Sequence, residues 1–316
     1  MNLKQAYPTM ITPMCHDGSI DTGAVRALTD WYFENGCAGI FTACQSSEIF
    51  CLTVPERVLL TRTVVDRVNE LAAIHPEKPK MSVVASGHVS DTFDEQVYEL
   101  NAVADTGIDT LILISNRMDI ANTGDEAWIA DTSRLMDSVP DISLGVYECP
   151  QPYKRLMSDR MLSFCANSGR FRYMKDTCSN ASMIAHRIEL LQGTPMQLYN
   201  ANAQTLLETM RAGAAGYCGV MCNFHPALYV WLCEHFETHP QEAECLQAFL
   251  CTAAFTESLA YPVTAKYHLK EVAKLPLSDI YTRKRPASDL KPYDMSCIRQ
   301  MDLLAQHMQS TLSELK

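Results

Sequence analysis

The 316-residue sequence predicts an α/β fold, a (β/α)8 barrel with a C-terminal helical extension, on three observations. Short apolar, β-rich runs recur eight times, segments with helical spacing lie between them, and no glycine-rich phosphate loop of the G-x-G-x-x-G or Walker type follows any run. Runs apolar on both faces need cover on both sides, as in a parallel sheet wrapped by helices. Eight units favour a closed barrel over an open doubly wound sheet.

The strand candidates are 9–14, 39–45, 81–87, 110–115, 143–148, 171–177, 196–200 and 216–223. Helical spacing marks 21–34, 55–74, 92–104, 125–136, 158–166, 182–191 and 206–212 between them. Beyond Asn223 only helices are expected, at 227–236, 240–257, 263–272 and 294–315, with the basic, proline-containing stretch 283–292 as a connector. The expected division is a barrel carrying the active site over 1–238 and a helical domain over 239–316. The Leu, Met and Ala content of that extension suits packing on the barrel or on another subunit.

A hydrophobic content of 47% is ample for a large core. The formal net charge of -11 opposes binding to nucleic acid or to acidic membranes, so small molecules are the expected partners. The sequence from Met1 to Gln5 lacks the basic start and apolar stretch of a signal peptide, and no apolar run reaches bilayer length; the expected location is cytoplasmic. Thirteen cysteines, odd in number and scattered through apolar segments, read as buried thiols. Cys218, Cys222 and His225 come nearest to a metal cluster, but no second pair stands at zinc-site spacing, so no metal is expected.

Chemistry in such a barrel belongs to the C-terminal ends of the strands, and two polar residues close apolar runs there. Tyr147 ends the fifth run and Lys175 the sixth. Alternation puts Phe171, Tyr173 and Lys175 on one face, so inward Phe171 and Tyr173 imply an inward Lys175. A partly desolvated lysine makes a neutral amine available for attack on a ketone, and a phenol beside it can shuttle the protons that imine formation requires. The bland alternatives are a strand-end lysine paired with Asp176 and a tyrosine that only fills core. Finding both on neighbouring strand ends favours the chemistry. The turn Cys44-Gln45-Ser46-Ser47-Glu48 can aim backbone N–H groups at a carboxylate, although a solvated loop has the same composition.

Together these segments resemble the dihydrodipicolinate synthase and N-acetylneuraminate lyase family of Schiff-base barrels. The resemblance runs from Thr9-Met10-Ile11-Thr12-Pro13-Met14 with Gly18 and Asp21, through Glu48 and Pro55-Glu56-Arg57, to Tyr147-x-x-Pro150, Lys175-Asp176-Thr177, Gly213-x-x-Gly216 and Asn223. It implies a Schiff base on Lys175, proton transfer by Tyr147, and a keto-acid carboxylate held at Gln45 and Ser46. It further implies pocket-lining places for Thr177 and Cys218, no cofactor beyond the covalent imine, and a homotetramer built as a dimer of dimers.

The departures fall where the family selects its second substrate. Gln45 stands where the usual Gly-Thr-Thr-Gly-Glu or Gly-Ser-Thr-Gly-Glu turn has a relay hydroxyl, and a carboxamide cannot pass a proton as a hydroxyl does. The synthase's Tyr-Tyr pair is replaced by Ile114-Ser115-Asn116-Arg117-Met118, where Arg117 is a candidate carboxylate ligand or a solvated loop arginine. Pro152 stands where the synthase has an arginine, with Lys154 and Arg155 further on. Asn200 and Asn202 replace the acidic residues of the sialic acid lyases, as hydroxyl binders or as helix caps. The expected activity is a lyase or aldolase that releases or condenses pyruvate or a related 2-keto acid with an aldehyde or sugar-acid partner. The alternatives are a keto-deoxy sugar acid dehydratase on the same imine, and a catalytically inactive keto-acid-binding barrel.

Overall fold

A computed structural model describes residues 4–315. Eight parallel strands form one sheet: β1 (Gln5–Pro8), β2 (Gly39–Thr42), β3 (Ser82–Ser86), β4 (Thr110–Ile114), β5 (Ser143–Tyr147), β6 (Phe171–Asp176), β7 (Gln197–Asn200) and β8 (Gly216–Gly219). They alternate with α1 (Thr22–Glu34), α2 (Val54–Ile74), α3 (Phe93–Ala104), α4 (Asp125–Ser138), α5 (Asp159–Asn167), α6 (Ala181–Leu190), α7 (Leu206–Ala212) and α8 (Pro226–His235). Strand order is β1-β8-β7-β6-β5-β4-β3-β2. The Met10 N–H donates to Phe41 O at 3.0 Å and the Ala38 N–H to Ala6 O at 3.2 Å, which closes β2 onto β1. The sequence thus folds as the expected (β/α)8 barrel.

Local chemistry fixes the element ends. Asp21 caps α1 by accepting the Ala24 N–H at 2.9 Å. Thr53 and Glu56 form a reciprocal capping box at the start of α2, with Pro55 in its first turn. Gly213 closes α7 in the left-handed region, at φ +116°. Inside the barrel lies a layer of buried side chains that includes Tyr7, Phe41, Ile112, Tyr147, Tyr173 and Tyr199; outside, a larger core packs the strands' other faces against the helices. Gly145 leaves the room that this inner layer needs, since a Cβ there would meet Ile112 Cδ1 at 2.4 Å and Tyr173 Cβ at 2.9 Å.

Three sequence expectations need correction. The first strand is Gln5–Pro8, and of the expected run 9–14 only Thr9 and Met14 pair, in isolated bridges to Phe41 and to Ile20. Pro13 has no N–H to extend a ladder, and the Thr12 hydroxyl and Met10 carbonyl are taken by Ser47 at 2.7 and 2.6 Å. In β6 the register against β5 slips so that Leu144 pairs with Phe171 and Gly145 with Tyr173. The extra residue breaks the alternation, which sends Phe171 to the outer core while Tyr173 stays inside. Finally, the helix expected over 240–257 ends early.

That helix, α9 (Pro240–Ala253), tightens into a 3-10 turn over Ala254–Ser258 before α10 (Val263–Tyr267), a wider π turn over His268–Val272, and α11 (Pro292–Ser313). The extension is fastened to the barrel: α9 packs on α7 and α8, Lys266 pairs with Glu48, and Arg283 pairs with Glu56. Among the described residues no helix is long and apolar enough to cross a membrane.

Candidate active site

At the C-terminal end of the barrel a cavity of about 260 Å³ opens among the strand-end loops. From β5 and β6 come Tyr147 and Lys175, and from the turn after β2 come Gln45 and Ser46. Thr177 and Asn202 complete the sequence-expected residues on its wall.

Lys175 is inward and 5% exposed, with its Nζ 4.3 Å from the centroid of the Tyr147 ring and 5.3 Å from that of Phe41. The two residues are direct neighbours in the β5–β6 register, so their proximity follows from the sheet. Complete burial holds the Tyr147 phenol well above its ordinary value, and it therefore stays a neutral donor. Its hydroxyl donates to Gln45 Oε1 over a long 3.4 Å. Behind Lys175, Asp176 and Glu148 share the buried guanidinium of Arg187, so the strand-end carboxylate has a partner other than Lys175.

The turn after β2 is built to present amides. The Ser47 and Glu48 N–H groups donate back to Cys44 O and Gln45 O, both at 3.0 Å, and the Ser47 hydroxyl accepts from the Cys44 N–H at 3.1 Å. Among the described residues the Gln45 and Ser46 N–H groups have no protein acceptor. Ala43 and Glu48 take positive φ, at 47° and 62°, to turn the chain this tightly. Two unspent N–H donors beside a lysine and a phenol form a cradle for a small carboxylate.

The remaining sequence candidates divide. Thr177 borders the cavity, but its hydroxyl donates to Glu148 O at 2.7 Å. Asn202 also borders it while its Oδ1 accepts the Thr205 N–H and hydroxyl at 3.1 and 3.0 Å, a bond within the loop and not a cap of α7, whose N-cap residue is Thr205. Asn200 is fully buried behind the loop, bonded to Thr205 and Thr209 hydroxyls at 3.0 and 2.9 Å, and does not reach the cavity wall. Cys218 lies below, in the inner-barrel layer; burial pushes its thiol up to about 11 while the nearby Lys175 charge pulls it down. Arg117 is neither a cavity ligand nor solvated: its guanidinium is buried against Val89 O and Asp91, at 3.1 and 2.9 Å, on another face. Cys222 sits in the outer core and the His225 ring stacks on Tyr229 at 5.6 Å, so neither gathers with Cys218 around a common point.

Four more lining residues carry charged or phenolic side chains: Lys154, which the sequence reading placed only beyond Pro152, and three to which it gave no role. Lys154, from the loop after β5, donates to Thr177 O at 2.8 Å. Glu257, Tyr261 and Lys284 come from the helical extension. Tyr261 points its shielded hydroxyl toward Ser46 without a hydrogen bond of ordinary geometry. Glu257 makes neither an ion pair nor a hydrogen bond among the described residues, and burial raises its carboxyl to about 7 against the opposing pull of Lys175. Its surface remains open to the cavity, so water limits the size of that shift, while the concave wall that strips part of its hydration fixes the direction. The only signal for this segment was Pro262, which marks a break ahead of α10.

Comparison with known proteins agrees with this geometry. Residues 2–77 match the model of the dihydrodipicolinate synthetase family. Over 278 residues the chain is 24% identical to a 4-hydroxy-tetrahydrodipicolinate synthase of Saccharophagus degradans, covering 87% of this chain and 90% of that protein. A synthase of the same name from Methanothrix thermoacetophila is 22% identical over 275 residues, 86% and 88% of the two chains. Among solved structures, the 4-hydroxy-tetrahydrodipicolinate synthase of Methylacidiphilum fumariolicum SolV superposes with a TM-score of 0.83 at 19% identity, covering 99% of each chain. The sialic acid aldolase of Ruminococcus gnavus gives 0.83 at 17%, covering 99% of this chain and 100% of that one. The solved structures, all under 25% identical, speak for the fold. Over residues 2–77 the chain is similar to the dihydrodipicolinate synthetase family, and along most of its length to the 4-hydroxy-tetrahydrodipicolinate synthases named above.

Proposed function

We propose that the protein is a Schiff-base lyase in which Lys175 condenses with a 2-keto acid, pyruvate or a close relative. The observation that carries this reading is the convergence on one cavity of the Lys175 amine, the Tyr147 phenol and the free Gln45 and Ser46 amides. The deprotonated Lys175 amine adds to the C2 carbonyl, and Tyr147 donates a proton to the developing hydroxyl, which leaves as water. The carboxylate rests on the turn amides. The resulting iminium accepts the electron pair of the C3–C4 bond when an aldol adduct is cleaved, and the enamine supplies that pair in the reverse direction. The relatives named as synthases and an aldolase support the class of reaction.

Three lysines and one carboxyl on the wall favour an acidic or polyhydroxylated sugar-acid substrate over an apolar one. Dehydration of a keto-deoxy sugar acid through the same imine is a second reading, favoured by the presence of both a carboxyl and ammonium groups beside Lys175. Resemblance to the family extends the proposal to a cytoplasmic homotetramer, checked by light scattering for a mass four times that of the chain.

Borohydride reduction in the presence of pyruvate tests the reading. The expected result is a mass-spectrometric adduct on Lys175, absent in Lys175→Ala. With Tyr147→Phe, adduct formation should slow by roughly a hundredfold or more. Thermal stabilisation by keto acids without an adduct would make the protein a reversible binder and overturn the lyase reading.

A further inference from the structure

The helical extension delivers a carboxyl to the cavity, that of Glu257, which has no ion pair or hydrogen bond among the described residues. Glu257 sits on the 3-10 turn Ala254–Ser258, which packs against the 3-10 turn Val220–Asn223 that follows β8. Thr256 pins that turn by donating to Ala253 O at 2.7 Å, and the Leu259 N–H donates to Thr256 O at 3.1 Å. The backbone around Glu257 is therefore fixed while its carboxyl faces the same space as Lys175.

The groups around it leave a vacancy in the chemistry. From the barrel it is faced by Lys175 of β6, Tyr147 of β5 and Lys154 of the following loop; from the extension, by Tyr261 and Lys284. Tyr217 of β8 and Tyr229 of α8 lie behind it and carry its electrostatic influence. Tyr261, Tyr217 and Tyr229 are held protonated by burial, far above neutral pH, and Tyr147 is engaged at the C2 oxygen in the proposed imine step. Gln45 has no titrating proton, and the Thr177 hydroxyl is committed to Glu148 O. An enamine nevertheless requires a base at C3, and a carboxyl that lines the cavity with Lys175, has no other partner among the described residues and is raised above its ordinary range suits that task.

We propose that Glu257 is a catalytic residue, the base that removes the C3 proton of the keto acid bound to Lys175 and later returns a proton to the partner's oxygen. The inference rests on the imine reading above. In the forward step the C3–H bond breaks, its electron pair forms the C2=C3 bond, and the iminium π pair becomes the nitrogen lone pair. The proton goes to the Glu257 carboxylate. When the enamine attacks an aldehyde, the protonated Glu257 supplies that proton to the new alkoxide, and no further reagent is needed. In cleavage the same transfers run backwards.

The probe is pyruvate itself, whose methyl hydrogens exchange with D2O only through the enamine. Proton NMR of that exchange, beside borohydride trapping, separates the two claims. In Glu257→Gln the Lys175 adduct should still form, while exchange should fall by about a hundredfold or more. Wild-type exchange, normalised to trapped imine at each pH, should rise through a midpoint above the ordinary carboxylate value and level off, and the variant should lose that rise. Trapping with exchange within about threefold of wild type in Glu257→Gln overturns the role of Glu257 and leaves the imine standing. Absence of both adduct and exchange in the wild type overturns the imine and this inference together. Should Glu257→Gln not fold, as judged by circular dichroism, the wild-type profile decides: a flat normalised rate from about pH 4 to about pH 8.5 rules Glu257 out.

Discussion

The Lys266 ammonium of α10 lies 3.1 Å from Glu48 Oε1, with both side chains wholly shut off from solvent. Glu48 Oε2 accepts the Arg283 and Lys284 N–H groups at 2.6 and 2.8 Å, so one carboxylate ties the turn after β2 to two parts of the extension. Burial holds Lys266 below its ordinary value, with the Glu48 charge opposing that shift. Lys266→Met should destabilise the protein by about 3–5 kcal/mol, because it leaves a buried carboxylate without its cation. Urea unfolding measures the loss, and Lys266→Met combined with Glu48→Gln should recover part of it. A single variant as stable as wild type would show that the two backbone donors suffice.

Arg187 of α6 holds Glu148 and Asp176 together at the ends of β5 and β6, with Nη2 2.9 Å from Glu148 Oε1. Burial and the Asp176 charge push the Glu148 carboxyl up, against the pull of Arg187. Arg187→Met should cost about 3–5 kcal/mol and should also slow imine trapping, since Asp176 adjoins Lys175. Calorimetry and trapping kinetics read the two effects. Trapping at the wild-type rate in a folded Arg187→Met would confine the cluster to stability.

His88, after β3, is buried between strands, where the Ile114 N–H donates to its Nε2 at 2.7 Å. Nδ1 must then carry the proton and donate to Gln96 Oε1 at 3.0 Å. Burial lowers its pKa to about 4, the Gln96 bond opposing, so the unfolded chain takes up a proton before the native one does. The contribution of His88 to stability is complete above pH 6.5 and shrinks as pH falls toward 4, by on the order of 3 kcal/mol. His88→Gln keeps an acceptor for Ile114 and cannot titrate, so its stability should fall less between those limits. Parallel pH curves for the two proteins would count against the assignment.

Gly216 opens β8 at φ +143°, and a Cβ there would stand 1.9 Å from Gln5 O and 2.6 Å from Gln5 N. Gly216→Ala therefore drives β1 from the sheet and should cost roughly 3 kcal/mol or more. Gly193, at φ +76° with open space around it, isolates the backbone strain, and Gly193→Ala should cost about 1–2 kcal/mol. Comparable melting temperatures for the two variants would contradict this reading of the β1–β8 seam.

Seven of the eight strands stand within the runs read from the sequence, because a strand covered on both faces announces itself by continuous apolar residues. The exception is instructive. Residues 9–14 are as apolar as any strand, yet they form a buried loop whose polar groups are met by Ser47, and apolarity alone does not separate the two. The proximity of Tyr147 and Lys175 was equally legible, since neighbouring strand ends in a parallel barrel must meet. Arg117 and Asn200 were not. Whether a strand-end polar side chain turns to the axis or into the loop packing depends on partners far away, such as Asp91 and Thr209.

By itself the sequence determined the barrel, the inward lysine and the phenol beside it, since period-two alternation and strand order are local and repetitive properties. Only the tertiary structure decided what else surrounds Lys175. Glu257, Tyr261 and Lys284 lie more than eighty residues along the chain from it, in a segment patterned only as helix, and reach the cavity because α9 ends early and Glu48 anchors the 281–284 loop. Such convergence arises from long-range packing and buried charge pairing, which leave no periodicity in the sequence to read.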